Sequence, residues 1–202
     1  MTTAERPIVV AVTGASGAPY AVRLLQALVE RHQRVALIVS DHGLRLLQTE
    51  TDIASVDALR HRVGAAAWDG LVRVYDDRDR GAAPASGSAL SAGMVICPCS
   101  MGTISAIAVG ASRSLVERAA DVTLKERRRL IVVPRESPYS AIHLENMLTL
   151  TRAGAVVLPA SPGFYHRPQT VAELVDFVVG RVLDQLGVEQ SIVPRWGTEA
   201  IE

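Results

Sequence analysis

The sequence has few cysteines, few aromatic residues and no long apolar run. Of its 202 residues, two are cysteine, Cys97 and Cys99, and 4% are aromatic. Because a single residue separates the two cysteines, they cannot cross-link distant segments, so a disulfide scaffold is excluded and reduced thiols are expected. No apolar run reaches the roughly 18 residues that a membrane-spanning helix needs. The polar N-terminus leads directly into an apolar segment, unlike a signal peptide, and a cytoplasmic location is expected.

The chain also lacks an excess of charge of either sign. Its 21 basic and 21 acidic residues cancel, which gives no support for nucleic-acid binding. The apolar fraction of 49% is too high for a disordered chain. The length fits a single domain over residues 1–202 with a sizeable core. Lysine is nearly absent, since Lys125 is the one lysine among the 21 basic residues.

Short apolar runs bounded by turn residues predict buried parallel strands. These runs cover residues 8–12, 34–39, 94–97, 130–133 and 155–158, with 71–75 as a sixth candidate. Apolar spacing and capping residues predict helices between and after them. The helical segments are 18–31, 114–129, 138–152 and 170–186. This alternation predicts an α/β fold, a Rossmann-like three-layer sandwich with a parallel sheet.

Two segments have no clear periodicity of either kind. Residues 76–93 are rich in Gly, Pro, Ser and Ala and are predicted to form a long loop. Residues 188–202 are apolar for a free end, with Ile192 and Trp196 among them. We therefore expect residues 188–202 to be a C-terminal tail that docks on its own subunit or on a neighbour.

Small, hydroxyl and charged residues follow each predicted strand, where open α/β sheets bind their ligands. The turn at 14–17 suits a phosphate, because glycine admits a close anion and the next helix offers free N–H groups. A tight strand-to-helix turn is an equal alternative. The turn at 100–103 is either a second site or an ordinary N-cap cluster. Arg135 and Glu136 follow a strand directly, either as a phosphate clamp with an acid or base, or as a structural ion pair.

Other motifs are incomplete. The 14–17 turn begins like that of short-chain dehydrogenases, but Ala18 and Tyr20 stand where the later glycines belong. No tyrosine is followed by a lysine four residues on, which counts against that family. The two cysteines have no matching Cys or His pair, so no metal site is expected.

Arg181 lies in an apolar helix and needs a partner, either a ligand phosphate or an interface carboxylate.

Seven segments, in order along nearly the whole chain, resemble the UbiX family of flavin prenyltransferases. They are 13–17 (TGASG), 96–103 (ICPCSMGT), 117–121 (ERAAD), 124–128 (LKERR), 133–136 (VPRE), 143–147 (HLENM) and 162–166 (PGFYH). The resemblance implies a flavoprotein fold of the homo-oligomeric cysteine decarboxylase type. It also implies transfer of a dimethylallyl group from dimethylallyl phosphate to N5 and then C6 of reduced FMN, without a metal. Prenylated FMN is then the cofactor of UbiD-type decarboxylases, and the enzyme is a dodecamer.

The resemblance also implies roles for individual residues. The expected FMN contacts are Gly14, Ala15, Ser16, Ser40, Ser100, Met101, Gly102, Thr103 and Arg135. The expected contacts of dimethylallyl phosphate are Lys125, Tyr165 and Arg181, with Trp196 over the prenyl group. The residues expected to take part in catalysis are Ser16, Glu50, Glu136, Lys125 and Tyr165. Residues 80–84 contain no tryptophan, unlike some relatives, which leaves that wall of the prenyl pocket undefined.

Two other functions compete with this one. An FMN-dependent cysteine decarboxylase of the phosphopantothenoylcysteine type shares the fold, but its Pro-x-Met-Asn-x-x-Met-Trp segment is absent, and 143–147 reads HLENM. A non-catalytic FMN carrier needs no second phosphate site, and the set of Lys125, Tyr165 and Arg181 counts against it. Fixed cationic donors in a water-poor site would stabilise a leaving monophosphate in place of a metal.

Overall fold

The computed structural model describes residues 6–193, so Trp196 and most of the predicted tail lie outside the described residues. A six-stranded parallel sheet has the strand order β3-β2-β1-β4-β5-β6. The strands are β1 (Ile8–Val12), β2 (Val35–Val39), β3 (Val72–Tyr75), β4 (Gly93–Cys99), β5 (Leu130–Pro134) and β6 (Val156–Val157). The helices are α1 (Ala18–Glu30), α2 (Asp41–Thr51), α3 (Val56–Val63), α4 (Ala65–Leu71), α5 (Met101–Ala108), α6 (Leu115–Lys125), α7 (Ala141–Arg152) and α8 (Val171–Leu186).

The helices cover both faces of the sheet, as the predicted three-layer sandwich requires. Side chains of a strand alternate between faces, so β1 contributes Val10 and Val12 to one core and Val9 and Ala11 to the other. The first core is completed by α1, α2, α3, α4 and α8, and the second by α5, α6 and α7. The fold prediction is therefore confirmed.

The predicted elements are recovered with small shifts at their ends. The helix predicted over 114–129 ends at Lys125, and Arg127 then adopts a left-handed backbone conformation with φ 55°. The helix predicted over 138–152 begins at Ala141, because Ser140 caps it by accepting from the N–H of His143. The long loop contains one short 3-10 turn at Ala83–Ala85.

Three helices between β2 and β3 were not predicted. Helices α2, α3 and α4 are short, and few of their side chains are buried, so their apolar periodicity is weak. Local caps start α2 and α3, since Ser40 and Ser55 each accept from an N–H of the first turn, whereas α4 has no side-chain cap.

The first part of the predicted tail packs on the body of the domain. Val188 and Ile192 are partly buried against the core on the α1 and α8 side of the sheet. Within residues 6–193, no helix has the length and apolar character needed to cross a membrane.

Candidate functional site

The strand order places a crevice between the carboxyl ends of β1 and β4. From β1 the chain adds β2 and β3 on one side, and it then returns to add β4, β5 and β6 on the other. Ligands of open α/β sheets bind where the order reverses in this way. Thr13 joins the two strand ends there, because its buried hydroxyl donates to Pro98 O (3.0 Å) and accepts from Ser100 N–H (2.9 Å).

The N-terminus of α1 holds a carboxylate of its own chain. Glu50, from the last turn of α2, accepts through Oε2 from the N–H of Gly17 (2.8 Å) and of Ala18 (2.7 Å). The 14–17 turn was predicted to offer free N–H groups to a phosphate, and at least these two are already used by Glu50. The positive end of the α1 dipole therefore stabilises the Glu50 carboxylate and is not free for a ligand.

The same contacts set the ionisation of Glu50. Partial burial raises the pKa of this carboxyl, but hydrogen bonds from Gly17, Ser16 and Ala18 lower it. The charge of Arg135 lowers it as well, and the pKa ends below its ordinary value. Glu50 is thus ionised at neutral pH and is suited to accept a proton, not to donate one.

Ser16, Glu50 and Arg135 form one cluster at the crevice. The Arg135 guanidinium donates from Nε to the carbonyl oxygen of Ser16 at 3.0 Å. The Ser16 side chain bonds the carboxylate of Glu50. Three residues that the family resemblance assigned to flavin binding or catalysis are therefore brought together from the turn after β1, from α2 and from the segment after β5, although Arg135 and Ser16 are 119 positions apart.

Close packing against His42 requires a glycine at position 14 of the crevice. A Cβ on Gly14 would lie 2.6 Å from Cβ of His42, so no larger residue fits there without movement. Ser40 caps α2 by accepting from Gly43 N–H at 3.0 Å, which leaves its hydroxyl proton for a ligand. Gly14 and Ser40 thus both lie at the ligand edge of the sheet, and Ala15 between Gly14 and Ser16 is buried.

The N-terminus of α5 is open by comparison. Ser100 caps this helix through Thr103, whose N–H and hydroxyl both contact the Ser100 hydroxyl. A Cβ on Gly102 would meet nothing closer than Ser100 Oγ at 3.8 Å, so there is space in front of the first turn. The N–H groups of a first turn have no partner inside their helix. The 100–103 segment therefore offers donors to a ligand, while Met101 points into the core.

The cysteines under this turn are inert. Cys97 and Cys99 are both free and buried. Burial raises the pKa of the Cys97 thiol to about 12 and that of Cys99 higher still. Thiols with such pKa values stay protonated and neither attack nor bind metal readily. Among residues 6–193 there is no group of three or more His, Cys, Asp or Glu side chains placed to hold a metal ion.

Glu136 lies at the same edge but is not part of the cluster. It follows β5, is exposed, and accepts from the N–H of Ser137 at 3.0 Å. No contact with Glu50 or Ser16 is formed within the described part of the chain. A role in proton transfer for Glu136 therefore depends on a bound ligand that reaches it.

Tyr165 and Arg181 line one groove. The groove has a volume of about 760 Å³ and is bounded by α8 and by the chain that follows it. The Tyr165 ring contacts Phe177 of α8 edge to face, with centroids 5.7 Å apart. Arg181 forms an ion pair with Asp184 at 2.9 Å and is half-exposed. These two members of the expected phosphate set therefore face the same groove.

Lys125 is not near that groove in the same subunit. It ends α6, on the face of the sheet opposite α8, where it pairs with Glu126 at 2.6 Å. Helix α6 begins beside Asp77, just beyond the carboxyl end of β3, and it ends before β5 begins. Lys125 therefore lies at the amino edge of the sheet, away from the crevice.

One residue of the crevice was not assigned a role from the sequence. Thr13 belongs to the TGASG segment, but only its glycine, alanine and serine residues were given contacts. Its position directly after a buried strand, next to the switch in strand order, is the signal that would have identified it. Its partners on β4 are 85 and 87 residues away, so the sequence alone does not name them.

Comparison with known proteins agrees with this geometry. The profile of the Flavoprotein family matches residues 1–183. The chain is 54% identical over 199 residues to the flavin prenyltransferase UbiX of Pseudomonas aeruginosa, and the match covers 95% of this chain and 94% of that protein.

Two solved structures are similar in both sequence and fold. AnUbiX (PadA1), solved in complex with FMN and dimethylallyl pyrophosphate, is 40% identical and superposes with a TM-score of 0.88, covering 95% of this chain and 97% of that one. A dodecameric FMN-dependent UbiX-like decarboxylase from Escherichia coli O157:H7 is 42% identical, with a TM-score of 0.86 and coverage of 94% and 98%. The chain described here therefore belongs to the Flavoprotein family and, within it, to the UbiX flavin prenyltransferases.

Proposed function

We propose that the protein transfers the dimethylallyl group of dimethylallyl phosphate to N5 and C6 of reduced FMN, giving prenylated FMN. The observation that carries the proposal is the cluster of Ser16, Glu50 and Arg135 at the sheet crevice of a chain that belongs to this family. Reduced FMN, when bound, supplies the electron-rich atoms that receive the group. The protein supplies binding, orientation and a place for the proton.

The residues at the crevice fit FMN. Gly14 leaves no room for a Cβ, which lets His42 of α2 pack against the turn and shape the crevice wall. The open first turn of α5, with Gly102 and the Ser100 and Thr103 hydroxyls, is suited to the phosphate. Arg135, whose guanidinium engages Ser16 through Nε, has further donors for the ligand.

Ser16 and Glu50 would handle the proton at N5. The Glu50 carboxylate is held ionised by two N–H groups, so it accepts a proton through the Ser16 hydroxyl. Glu136, at the end of β5, would serve the leaving phosphate, since it is exposed and its carboxylate has one further oxygen that is not bonded to Ser137.

The phosphate of the second substrate would be held between subunits. Tyr165 and Arg181 share a groove, whereas Lys125 lies on the other face of the same sheet. If all three bind one phosphate, Lys125 must come from a neighbouring copy. We therefore propose a homo-oligomer, a dodecamer as in the relative that is described as one, with sites completed between copies.

The surface of α7 supports assembly. Ile142, Leu144 and Leu148 are large apolar side chains that are 68%, 54% and 48% exposed in the single chain. Apolar side chains exposed together on one helix mark a contact surface. A neighbouring subunit covering α7 would bury them.

The recipient of prenylated FMN would be a UbiD-type decarboxylase, and the protein would act in the cytoplasm, where its two free thiols stay reduced. Trp196 lies outside the described residues, and its place over the prenyl group remains a proposal from family resemblance.

The experiment is anaerobic incubation of the assembled protein with reduced FMN and dimethylallyl phosphate, followed by mass measurement of the released flavin. A gain of one C5H8 unit is the expected result. Unchanged flavin with FMN still bound would favour the carrier. Loss of carbon dioxide from phosphopantothenoylcysteine in a parallel incubation with oxidised FMN would favour the cysteine decarboxylase.

A further inference from the structure

A chain of hydrogen bonds joins Arg181 to the backbone that follows α8. The Arg181 guanidinium donates from one terminal nitrogen to Asp184 Oδ2 at 2.9 Å. The other oxygen of Asp184 accepts from Gln190 Nε2 at 3.3 Å. The side-chain oxygen of Gln190, Oε1, then accepts from the backbone N–H groups of Ile192 (2.9 Å) and Val193 (3.2 Å).

Two features make this chain of contacts rigid. Gln190 is 9% exposed, so its amide is shielded from competing water. Its oxygen must be the atom facing the backbone, because it accepts from two N–H groups, which fixes the amide nitrogen towards Asp184. Each carboxylate oxygen of Asp184 therefore accepts from a different side chain, and Asp184 does not form a bidentate ion pair with Arg181.

Close packing on α8 supports the same arrangement. A Cβ on Gly180 would lie 3.1 Å from a methyl group of Val193 and 3.5 Å from the Gln190 side-chain oxygen. Glycine in a helix interior is destabilising relative to alanine. Here, the missing Cβ lets the segment at 190–193 lie directly against the helix beside Arg181.

We propose that Asp184 and Gln190 are positioning residues for Arg181, and that they set its guanidinium to receive the phosphate of dimethylallyl phosphate in the groove. This inference rests on the proposed role of Arg181 in that binding. A guanidinium has five N–H donors, and the arrangement commits one of them to Asp184. The remaining donors stay available to an anion, while the side chain is prevented from leaving the groove wall.

The test compares Gln190→Met and Asp184→Asn with the unchanged protein, each assembled and loaded with FMN. Gln190→Met keeps the volume of the side chain but removes all three hydrogen bonds. We expect the KM for dimethylallyl phosphate to rise roughly tenfold in each variant, as for loss of one oriented charged contact. The FMN affinity should change less than about twofold, and kcat should fall by a smaller factor than the KM rises, because the guanidinium keeps its charge beside the leaving phosphate and only its orientation is loosened.

Gln26→Met is the matched control. Gln26 also donates from its amide to a backbone oxygen, that of Arg62, but on α1, away from the groove. The KM of Gln26→Met for dimethylallyl phosphate should equal that of the unchanged protein. A general loss of stability would lower kcat and the melting temperature in all variants, and equal effects of Gln190→Met and Gln26→Met would overturn the proposal.

Gln190→Glu tests the bond from residue 190 to Asp184 separately from the bonds that it accepts from Ile192 and Val193. A carboxylate at 190 still accepts from Ile192 and Val193, but it cannot donate to Asp184 and repels it. A raised KM in this variant supports the link through Asp184, and an unchanged KM overturns it. Calorimetric titration with dimethylallyl phosphate keeps the two proposals apart. If the unchanged protein binds this compound without forming product, the proposed function fails, while the ratio of dissociation constants between Gln190→Met and the unchanged protein still decides the role of Gln190.

Discussion

Helices α1 and α5 begin at the same crevice, yet their N-termini are used differently. Each follows a strand next to the switch in strand order, and each is preceded by small residues. At α1 the first N–H groups donate to Glu50. At α5 the turn is capped by Ser100, and the space before Gly102 is open.

The difference teaches that a helix N-terminus which suits an anion does not have to bind a ligand. A carboxylate from the same chain satisfies the dipole and the free N–H groups equally well. At α1 this arrangement supplies an ionised base next to Ser16. Under the proposed function, the open turn at α5 would receive the phosphate of the flavin. One crevice thus combines a helix N-terminus that holds a carboxylate with one that is open.

The strongest test removes the charge at α1. Glu50→Gln keeps the shape and can still accept from Gly17 and Ala18, but it cannot take up a proton. Product formation should fall about 100-fold or more, as for loss of a general base, while the FMN dissociation constant stays within about threefold. The measurement is single-turnover flavin prenylation. Glu173→Gln, which alters another carboxylate at a helix N-terminus, that of α8, is the control and should retain full activity. Normal turnover in Glu50→Gln would remove Glu50 from proton transfer.

A second test makes α5 resemble α1. Gly102→Glu places a carboxylate at the open turn, where it is favourable to the helix itself. FMN binding should weaken by about 100-fold, because like charges brought together cost several kcal/mol. Fluorescence titration with FMN measures the effect. Gly70→Glu, at a helical glycine where a Cβ would have nothing within 4 Å, is the control and should bind FMN normally. Tight FMN binding by Gly102→Glu would place the flavin phosphate elsewhere.

A third test loosens the connection between the two turns. Thr13→Val is nearly isosteric but removes the bonds to Pro98 O and from Ser100 N–H. We expect a loss of about 1–3 kcal/mol in the free energy of unfolding, because the part-buried Ser100 N–H loses its partner, whereas Pro98 O keeps the backbone N–H of Thr13. Urea denaturation gives this value. Thr149→Val, at an exposed helical threonine, serves as the reference and should change little. If both variants are equally stable, Thr13 does not hold the crevice together.

The smallest expected effect is a pH dependence of stability at α1. Burial raises the pKa of Glu50, but its hydrogen bonds and Arg135 lower it below the ordinary value of 4.5. The unfolded chain therefore binds the proton more readily, so the stabilisation by Glu50 is complete above its unfolded pKa and is lost as the pH falls through the lower folded pKa. The difference in melting temperature between the unchanged protein and Glu50→Gln should be constant near neutral pH and should shrink in acid. A constant difference down to the acid limit would show that the charge of Glu50 does not contribute.

Much of the fold followed from local pattern. Apolar runs predicted the six strands, and alternation with helices predicted the three-layer sandwich. The short helices α2, α3 and α4 were not predicted, because they bury few side chains and so lack a periodic apolar face. One of them, α2, carries Glu50, and only the family resemblance assigned that residue a role.

The sequence by itself determined which residue types reach the crevice, because the carboxyl ends of parallel strands share one edge of the sheet. It also placed caps such as Ser100 and Ser114, since capping acts over three residues. Only the tertiary structure decided that Glu50 fills the N-terminus of α1, and that Lys125 and Arg181 lie on opposite faces. Those pairings join residues tens of positions apart, and their geometry depends on how helices pack on a twisted sheet. No local spacing encodes that packing.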